Sequence, residues 1–358
     1  MSASPTSAPI PVSLLTGFLG SGKTTLLNQL LQLPELKETL VLINEFGEIG
    51  IDHDLVSSGR DGVVVEMSSG CLCCTIRGDL VKTLRDATWR FARGGKARFN
   101  RVIVESTGLA DPAPILHTLM AHPSLSKAFR LDGVLTTVDA VNAMTTLDRH
   151  VESVKQAAVA DRLILTKTDL VDAGQLAQLE ARLHALNPAA TQLHASDGQV
   201  DTELLFNLGL YNPKTKSLDV QRWLNAEAYA ARDADAENPH HAHRHDVNRH
   251  DAHIRAFCFW VDEPFEPDAL EAWLGTLLSL RGPDLLRVKG IVNVIGYNGP
   301  MVIHGVQDLF HPPMMLPNWP SSERRTRVVF IVRDIAEHEL RELLACVRNA
   351  PQPAYVRP

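Results

Sequence analysis

A glycine-rich segment near the start of the chain combines residue types that can bind phosphate. Its sequence is Gly17-Phe-Leu-Gly-Ser-Gly-Lys-Thr-Thr25, and it lies between a strand-forming run and a helical run at 26–33. The backbone amides of such a turn bind phosphate oxygens, Lys23 neutralises the β and γ oxygens, and the Thr24 hydroxyl can bind Mg²⁺. A fortuitous glycine-rich turn is the alternative. The segment predicts a nucleotide site formed by Gly17, Gly20, Ser21, Gly22, Lys23, Thr24 and Thr25.

The strand-forming run at 101–105 ends on a carboxylate, Glu105. An acid at the end of a buried strand can complete the shell of a Mg²⁺ ion beside a phosphate-binding loop. Gly108, three residues further on, can approach the γ-phosphate closely because it has no side chain. Such a carboxylate can also be no more than a solvated strand terminus. The phosphate-binding segment upstream favours the magnesium role for Glu105.

A third strand end, at residues 163–169, carries the sequence Leu-Ile-Leu-Thr-Lys-Thr-Asp, which suits the recognition of a purine base. The Asp169 carboxylate can accept hydrogen bonds from both the ring NH and the exocyclic amine of guanine, a donor pair that adenine lacks. Lys167 would lie along the base. A plain strand-to-helix turn capped by Asp169 is the alternative.

Three thiols lie close together between these motifs, in the segment Gly70-Cys71-Leu-Cys73-Cys74. Cysteine thiolates are soft ligands for Zn²⁺, Cu⁺ or Co²⁺, and metal binding releases their protons. Cys71 and Cys73 share one side of an extended segment, whereas Cys74 needs a turn to join them, so the set that binds together is left open. Buried structural cysteines and a redox switch are the alternatives.

Six of the 15 histidines lie within residues 240–253. Neutral imidazoles at this density bind Zn²⁺ or Ni²⁺ with modest affinity and rapid exchange, which suits metal capture or buffering. A solvated linker without a metal role is the alternative. The six are His240, His241, His243, His245, His250 and His253.

The elements that must position these residues alternate along the chain as far as about residue 210. Short β-branched runs alternate with helical stretches, which predicts an α/β domain with a parallel central sheet covered on both faces, the arrangement of a P-loop NTPase. The predicted strands are 12–16, 40–43, 63–66, 101–105, 133–138 and 162–166.

Beyond residue 253 the pattern changes to that of a smaller α+β domain, with helices on one face of an antiparallel sheet. Its predicted strands lie near 254–261, 287–296, 301–306 and 327–332, and its predicted helices at 267–280 and 335–347. We therefore divide the chain into a flexible lead (1–10), a P-loop domain with the thiol segment (11–218), a histidine-rich linker (219–253) and a C-terminal domain (254–358).

Composition restricts the possible partners and compartment. The net charge is -7 with both signs mixed along the chain, so we expect no nucleic-acid and no membrane partner. No run approaches the ~18 apolar residues of a membrane span, and the first apolar run has no basic lead-in, so secretion is not expected. The five cysteines, three of them crowded together, suit a reducing compartment with a metal site. A cytoplasmic location is predicted.

Taken in order, these motifs resemble those of CobW-like metal-trafficking GTPases over nearly the whole chain. The resemblance implies GTP hydrolysis and metal trafficking, by members sometimes called zinc chaperones. The matching segments are Gly17 to Thr24, Asn44-Glu-Phe-Gly-Glu48, Gly70 to Cys74, Glu105-Ser-Thr-Gly-Leu-Ala-Asp-Pro112, Thr166 to Asp169, Arg287-Val-Lys-Gly290, Trp319-Pro320 and residues 324–334.

The family's guanine motif usually begins with Asn, whereas this chain has Thr166. Thr can donate one hydrogen bond but not two, so we expect weaker guanine affinity, with Asp169 preserving the choice of base. The resemblance also implies that Glu45 and Glu48 lie in a switch segment that senses the γ-phosphate and Mg²⁺. A solvated glycine-rich loop is the alternative there. With Glu45 included, the predicted catalytic residues are Lys23, Glu45 and Glu105.

We take Asp111 as a helix N-cap, and His117 and His122 as ordinary helical surface histidines. The leading hypothesis is a GTP-hydrolysing metallochaperone for zinc, or else cobalt, with an apo-metalloprotein as client. Because the thiols lie between two nucleotide-binding motifs, one moving segment could serve both. Hydrolysis should be slow, since no arginine finger can be assigned. A metal store or sensor with structural GTP, and a cofactor-specific cobalt insertase, are the other hypotheses.

Overall fold

The computed structural model describes two compact units. Described residues up to Leu224 belong to the first unit, and the second begins at His253. None of the helices within these ranges has the length and apolar character that crossing a lipid bilayer requires. The described ranges are 9–43, 63–66, 75–93, 96–97, 99–195, 200–209, 211–212, 217–218, 224 and 253–349.

The first unit is built on a seven-stranded parallel sheet with the strand order β3-β2-β4-β1-β5-β6-β7. Its inner strands are rich in Val, Ile and Leu, because strands covered on both faces need apolar side chains on both. The strands are β1 (Ile10–Gly17), β2 (Thr39–Ile43), β3 (Val63–Glu66), β4 (Arg101–Glu105), β5 (Phe129–Asp139), β6 (Arg162–Thr166) and β7 (Thr191–His194).

Helices cover this sheet. On one face, Leu26, Leu27 and Leu30 pack against strand residues that include Leu15 and Leu135. Burying such side chains stabilises the unit by about 1.5–3 kcal/mol each. The helices are α1 (Lys23–Leu31), α2 (Thr75–Arg90), α3 (Ala113–Ala121), α4 (Ala143–Arg149), α5 (Val151–Ala158) and α6 (Ala173–Leu186), with a shorter helix at Thr202–Leu205 and 3-10 turns at Pro34–Leu36 and Thr168–Leu170.

The strand register places the carboxyl ends of the inner strands at one edge of the sheet. Glu105 pairs with Leu15 on one side and with Ile43 on the other, and Asp139 pairs with Thr166. Strands β2 and β3 lie on one side of β1 and strands β5 to β7 on the other. Such a reversal of strand order opens a crevice at the carboxyl ends, which is where ligands bind in open α/β sheets.

The second unit is an antiparallel sheet with the strand order β8-β13-β9-β10-β11, and β12 pairs with β10. Trp273 is fully buried between the sheet and its helix, with ring centroids 5.6 Å from Phe259 and 5.5 Å from Phe265. The elements are β8 (Ile254–Val261), α7 (Pro267–Arg281), β9 (Leu285–Val292), β10 (Met301–Val306), β11 (Leu309–Phe310), β12 (Met314–Met315), β13 (Thr326–Arg333) and α8 (Glu337–Asn349).

The predicted fold class is confirmed in both units, and the predicted strand at 63–66 matches β3 residue for residue. Two differences have clear causes. Strand β7 was not predicted, because it is an edge strand in which only Leu193 is buried and no apolar run is needed. Helix α1 begins at Lys23 rather than at residue 26, because the glycine-rich loop leads directly into it.

Candidate nucleotide site

Residues 17–22 form a tight loop between β1 and α1. Gly17 has φ +144°, and a Cβ there would lie 2.5 Å from the carbonyl oxygen of Thr137, so only glycine fits. Ser21 is fixed from behind, with its Oγ 2.6 Å from Thr137 Oγ1. The loop ends at Gly22, the N-cap of α1. The first amides of α1 therefore face the loop, as phosphate binding requires.

Lys23 is folded back over this loop. Its Nζ donates to the carbonyl oxygens of Gly17 at 2.9 Å and Phe18 at 3.2 Å, and the residue is only 9% exposed. The ammonium is thus held at the loop, where it can neutralise phosphate oxygens. Gly20 and Thr25, also predicted to bind nucleotide, are exposed on the loop and on the first turn of α1.

Thr24 and Glu105 meet at the carboxyl end of the sheet. The Thr24 hydroxyl donates to Glu105 Oε1 at 3.0 Å, and Glu105 is 3% exposed. Mg²⁺ prefers oxygen ligands, and two such ligands at right angles on an octahedral ion lie about 3 Å apart when each bond is about 2.1 Å long. The chemistry and the spacing of this pair therefore fit Mg²⁺.

The loop after Glu105 lies against the phosphate-binding loop. The Ser106 amide donates to the carbonyl of Leu15 at 2.9 Å, and its hydroxyl donates to Thr16 Oγ1 at 2.8 Å. A Cβ on Gly108 would lie 2.7 Å from the amide nitrogen of Leu19, so no larger residue fits there without a shift. The main chain around Gly108 is consequently close to the phosphate-binding loop.

Asp111, His117 and His122 were expected to have ordinary structural roles, and the structure agrees with this expectation only in part. Asp111 is not the N-cap itself: it lies just before Pro112, the N-cap of α3, and its Oδ1 accepts from the Ala113 amide at 3.0 Å. The expectation of a surface position for His117 is wrong: it is 9% exposed, because α3 packs against α2 and β5 and nearly all of its residues are buried. His122 has its Nδ1 2.8 Å from Ser124 Oγ. Among the residues described, no three His, Cys, Asp or Glu side chains form a metal cluster.

The loop after β6, residues 167–169, is called the base loop below, and it is tied to the phosphate-binding loop. The Thr166 hydroxyl faces the carbonyl oxygens of Ser21 at 2.9 Å and Val138 at 3.3 Å, so it braces the main chain instead of pointing to solvent. Lys167 has φ 56° and donates from Nζ to the Gly20 carbonyl at 2.9 Å. Asp169 lies exposed on the following turn, with its carboxylate available to a base.

Asp139 is a residue of this site that the sequence did not reveal. Its Oδ2 accepts from Lys167 Nζ at 2.7 Å and from Asn142 Nδ2 at 2.8 Å, and its Oδ1 accepts from the Val141 amide at 3.0 Å. Burial opposes ionisation of this carboxyl, but these hydrogen bonds and the Lys167 charge outweigh it and hold its pKa below the usual value. The available signal was its position directly after the predicted strand 133–138, comparable to that of Glu105 at the end of the predicted strand 101–105.

Several predicted residues lie outside the described ranges. They are Glu45 and Glu48 of the proposed switch segment, the thiols Cys71, Cys73 and Cys74, and His240, His241, His243, His245 and His250. His253 is described, and its Nδ1 lies 2.7 Å from Asp334 Oδ1.

The first unit has a parallel sheet with a glycine-rich loop at the carboxyl end of its central strand. A lysine lies over that loop, and a hydroxyl–carboxylate pair lies beside it. Together these features define a P-loop nucleotide-binding protein. Comparison with known families gives the particular one. Residues 11–194 match the CobW/HypB/UreG nucleotide-binding domain, and residues 254–347 match the cobalamin synthesis protein CobW C-terminal domain. The chain belongs to this family and is a P-loop GTPase. The resemblance drawn from the sequence is confirmed.

Relatives span almost the whole chain. The zinc chaperone YjiA of Escherichia coli is 31% identical over 341 residues, which are 95% of this chain and 99% of the relative. The zinc chaperone CobW of Pseudomonas aeruginosa is 30% identical over 375 residues, covering 95% and 93%. The crystal structure of the zinc-bound YjiA GTPase from E. coli matches with a TM-score of 0.67 at 28% identity, over 96% of this chain and all of that one.

Proposed function

We propose that this GTPase is a metallochaperone that carries zinc on Cys71, Cys73 and Cys74 and delivers it to an apo-metalloprotein client as GTP is hydrolysed. Two full-length relatives named zinc chaperone support metal delivery. Thiolates bind Co²⁺ as well as Zn²⁺, so cobalt is the alternative cargo.

The place where the thiol segment leaves the sheet carries this proposal. Residues 67–74 connect β3 to α2, and β3 ends at Glu66. Glu66 pairs with Ile43, which pairs with Glu105, so the three stand in one row across β3, β2 and β4. Because neighbouring strands lie about 4.8 Å apart, the thiol segment leaves the sheet roughly 10 Å from the main chain of Glu105.

The proposed switch segment with Glu45 and Glu48 leaves β2 from the same row, directly after Ile43. The two segments therefore begin only one and two strand spacings away from Glu105. Loss of the terminal phosphate beside Glu105 can affect both segments over this short distance. We infer that GTP holds both segments in one arrangement and that hydrolysis releases them, which is an order–disorder type of switch.

In the nucleotide site, the amides of residues 17–22 and the ammonium of Lys23 bind the phosphates, and Asp169 selects guanine. Thr24 and Glu105 would hold a Mg²⁺ ion, which would supply positive charge to the phosphate oxygens. In the proposed reaction the main chain at Gly108 contacts the γ-phosphate, and Glu45 orients the attacking water. We expect hydrolysis to be slow without a metal or protein partner, because the sequence motifs assign no arginine finger.

The test is the zinc affinity of the full chain in two nucleotide states, with a non-hydrolysable GTP analogue and with GDP. We expect at least a 10-fold tighter zinc complex in the GTP-analogue state, a coupling of about 1.4 kcal/mol. Cys73→Ala should remove most of this affinity. Cys346→Ala is the matched control, since Cys346 is an exposed cysteine of α8, in the other unit.

Anaerobic titration with Co²⁺ gives a second readout. Thiolate-to-cobalt charge-transfer bands should appear with one metal per chain and be lost in Cys73→Ala. Equal zinc affinities in the two nucleotide states would remove the coupling and leave a metal store with structural GTP. Hydrolysis stimulated by cobalt but not by zinc would instead favour a cobalt insertase.

A further inference from the structure

The short helix α5 holds the loop that follows Glu105. The Gln156 side-chain amide donates to the carbonyl oxygens of Gly108 at 3.2 Å and Ala110 at 3.1 Å. Its neighbour Lys155 places Nζ 2.7 Å from Asp111 Oδ2. Two consecutive side chains of α5 thus contact the loop along residues 108–111.

The helix is itself firmly placed. The Thr136 hydroxyl of β5 donates to the main-chain carbonyl of Gln156 at 2.9 Å. At the end of α5, the buried amide of Asn187 lies 3.0 Å from the carbonyl oxygens of Ala157 and Ala158. These bonds satisfy carbonyl groups that a helix end leaves open, and they fix α5 to the sheet and to the end of α6. Gln156 therefore acts from a rigid position.

The residue type at 156 matters because the Gln156 side chain is buried away from water. Gln156 is 1% exposed, and both hydrogens of its amide group are used on the loop. A side chain without donors would leave the buried Gly108 carbonyl and the partly buried Ala110 carbonyl without this partner, which is unfavourable away from water. The loop would then move to find other donors. Gln156 thus selects one orientation for the peptide units that follow Gly108 and Ala110.

We propose that Gln156 and Lys155 are positioning residues for hydrolysis, which hold the loop so that Gly108 stays beside the phosphate-binding loop. This inference rests on the proposed contact between the Gly108 main chain and the γ-phosphate. Because neither side chain belongs to the phosphate-binding loop or to the base loop, their effect falls on the rate of hydrolysis and not on nucleotide affinity. Lys155 contributes less, since its ion pair is partly exposed to solvent.

The test compares kcat and KM for GTP with the affinity for a fluorescent GDP analogue, using the full chain. Gln156→Met keeps the length of the side chain but has no donor, and we expect kcat to fall about 10-fold or more while GDP affinity stays within twofold. Lys155→Met should lower kcat about 2- to 3-fold. The matched control is Glu152→Gln, in the first turn of the same helix, at a residue that takes no part in the described contacts with the loop; its kcat should stay within twofold.

If Gln156 has a merely structural role, Gln156→Met should lower the melting temperature and reduce kcat and GDP affinity together, and this result would overturn the proposal. An unchanged kcat in Gln156→Met would also overturn it. If Gln156→Met does not fold, Lys155→Met decides, because its site is partly exposed: an unchanged kcat there overturns the proposal. Zinc affinity in both nucleotide states is measured on the wild-type protein in parallel. If the wild-type zinc affinity is the same in both nucleotide states, the metallochaperone proposal is rejected. If the zinc affinities differ but Gln156→Met has an unchanged kcat, only the present inference is rejected.

Discussion

Replacing Asp139 by Asn tests whether the base loop and the phosphate-binding loop are braced together by one carboxylate. Asp139 Oδ1 accepts from the Val141 amide, so the amide oxygen of Asn must remain there. The new NH₂ group then takes the place of Oδ2 and faces Lys167 Nζ and Asn142 Nδ2, which are both donors. The variant thus loses an ion pair and gains a donor–donor clash.

The size of the effect follows from the exposure of the pair. A hydrogen bond to a charged group contributes about 1.5–3 kcal/mol. The Lys167 side chain is 38% exposed, and solvent screening reduces the figure to about 1–1.5 kcal/mol. Since Lys167 also binds the Gly20 carbonyl, we expect GTP and GDP affinities to fall together by roughly 5- to 15-fold. Their ratio should be preserved, because neither contact involves the γ-phosphate.

Titration with fluorescent GDP and a non-hydrolysable GTP analogue between pH 5 and 8 measures this. The pKa of Asp139 is lowered in the folded protein, so its contribution is fully present above the usual carboxyl pKa and is lost only as pH falls through the lowered one. The difference between wild type and variant should therefore be constant over this range. The control is Asp148→Asn, which breaks a 2.7 Å ion pair with Arg182. Unchanged nucleotide affinity in Asp139→Asn, or a difference that disappears by pH 5, would refute the reasoning.

Three further outcomes are expected. Asp169→Asn should weaken GTP about 100-fold and favour xanthosine triphosphate, because Asn offers a donor to the xanthine oxygen; competition binding that still prefers GTP would contradict the assignment. Thr24→Val removes one oxygen ligand, so nucleotide affinity should lose its response to Mg²⁺ in a titration, and a retained response would exclude Thr24 as a ligand. Trp273→Ala should cost the second unit about 3–5 kcal/mol in urea unfolding, and a cost below ~1 kcal/mol would show that its core repacks.

Much of the site was predictable because its signals are local. The glycine-rich loop, Glu105 and Asp169 are each marked by a short pattern at the end of an apolar run. Asp139 was not found, although it also follows a strand, because an Asp at a strand end is usually an ordinary solvated residue. The two roles differ only in whether Lys167 is within reach, and that depends on β5 and β6 being neighbours.

The amino-acid sequence by itself determined the class of fold, the order of the motifs and the family, because periodicity and short contiguous motifs are properties of the local chain. Tertiary structure alone decided which polar groups meet. Thr24 reaches Glu105 across 81 residues, and Lys167 reaches Gly20 across 147. Gln156 reaches Gly108 across 48. The physical reason is that such bonds depend on strand order and on the packing of α5, and no local pattern encodes a partner that is brought close only by the completed sheet.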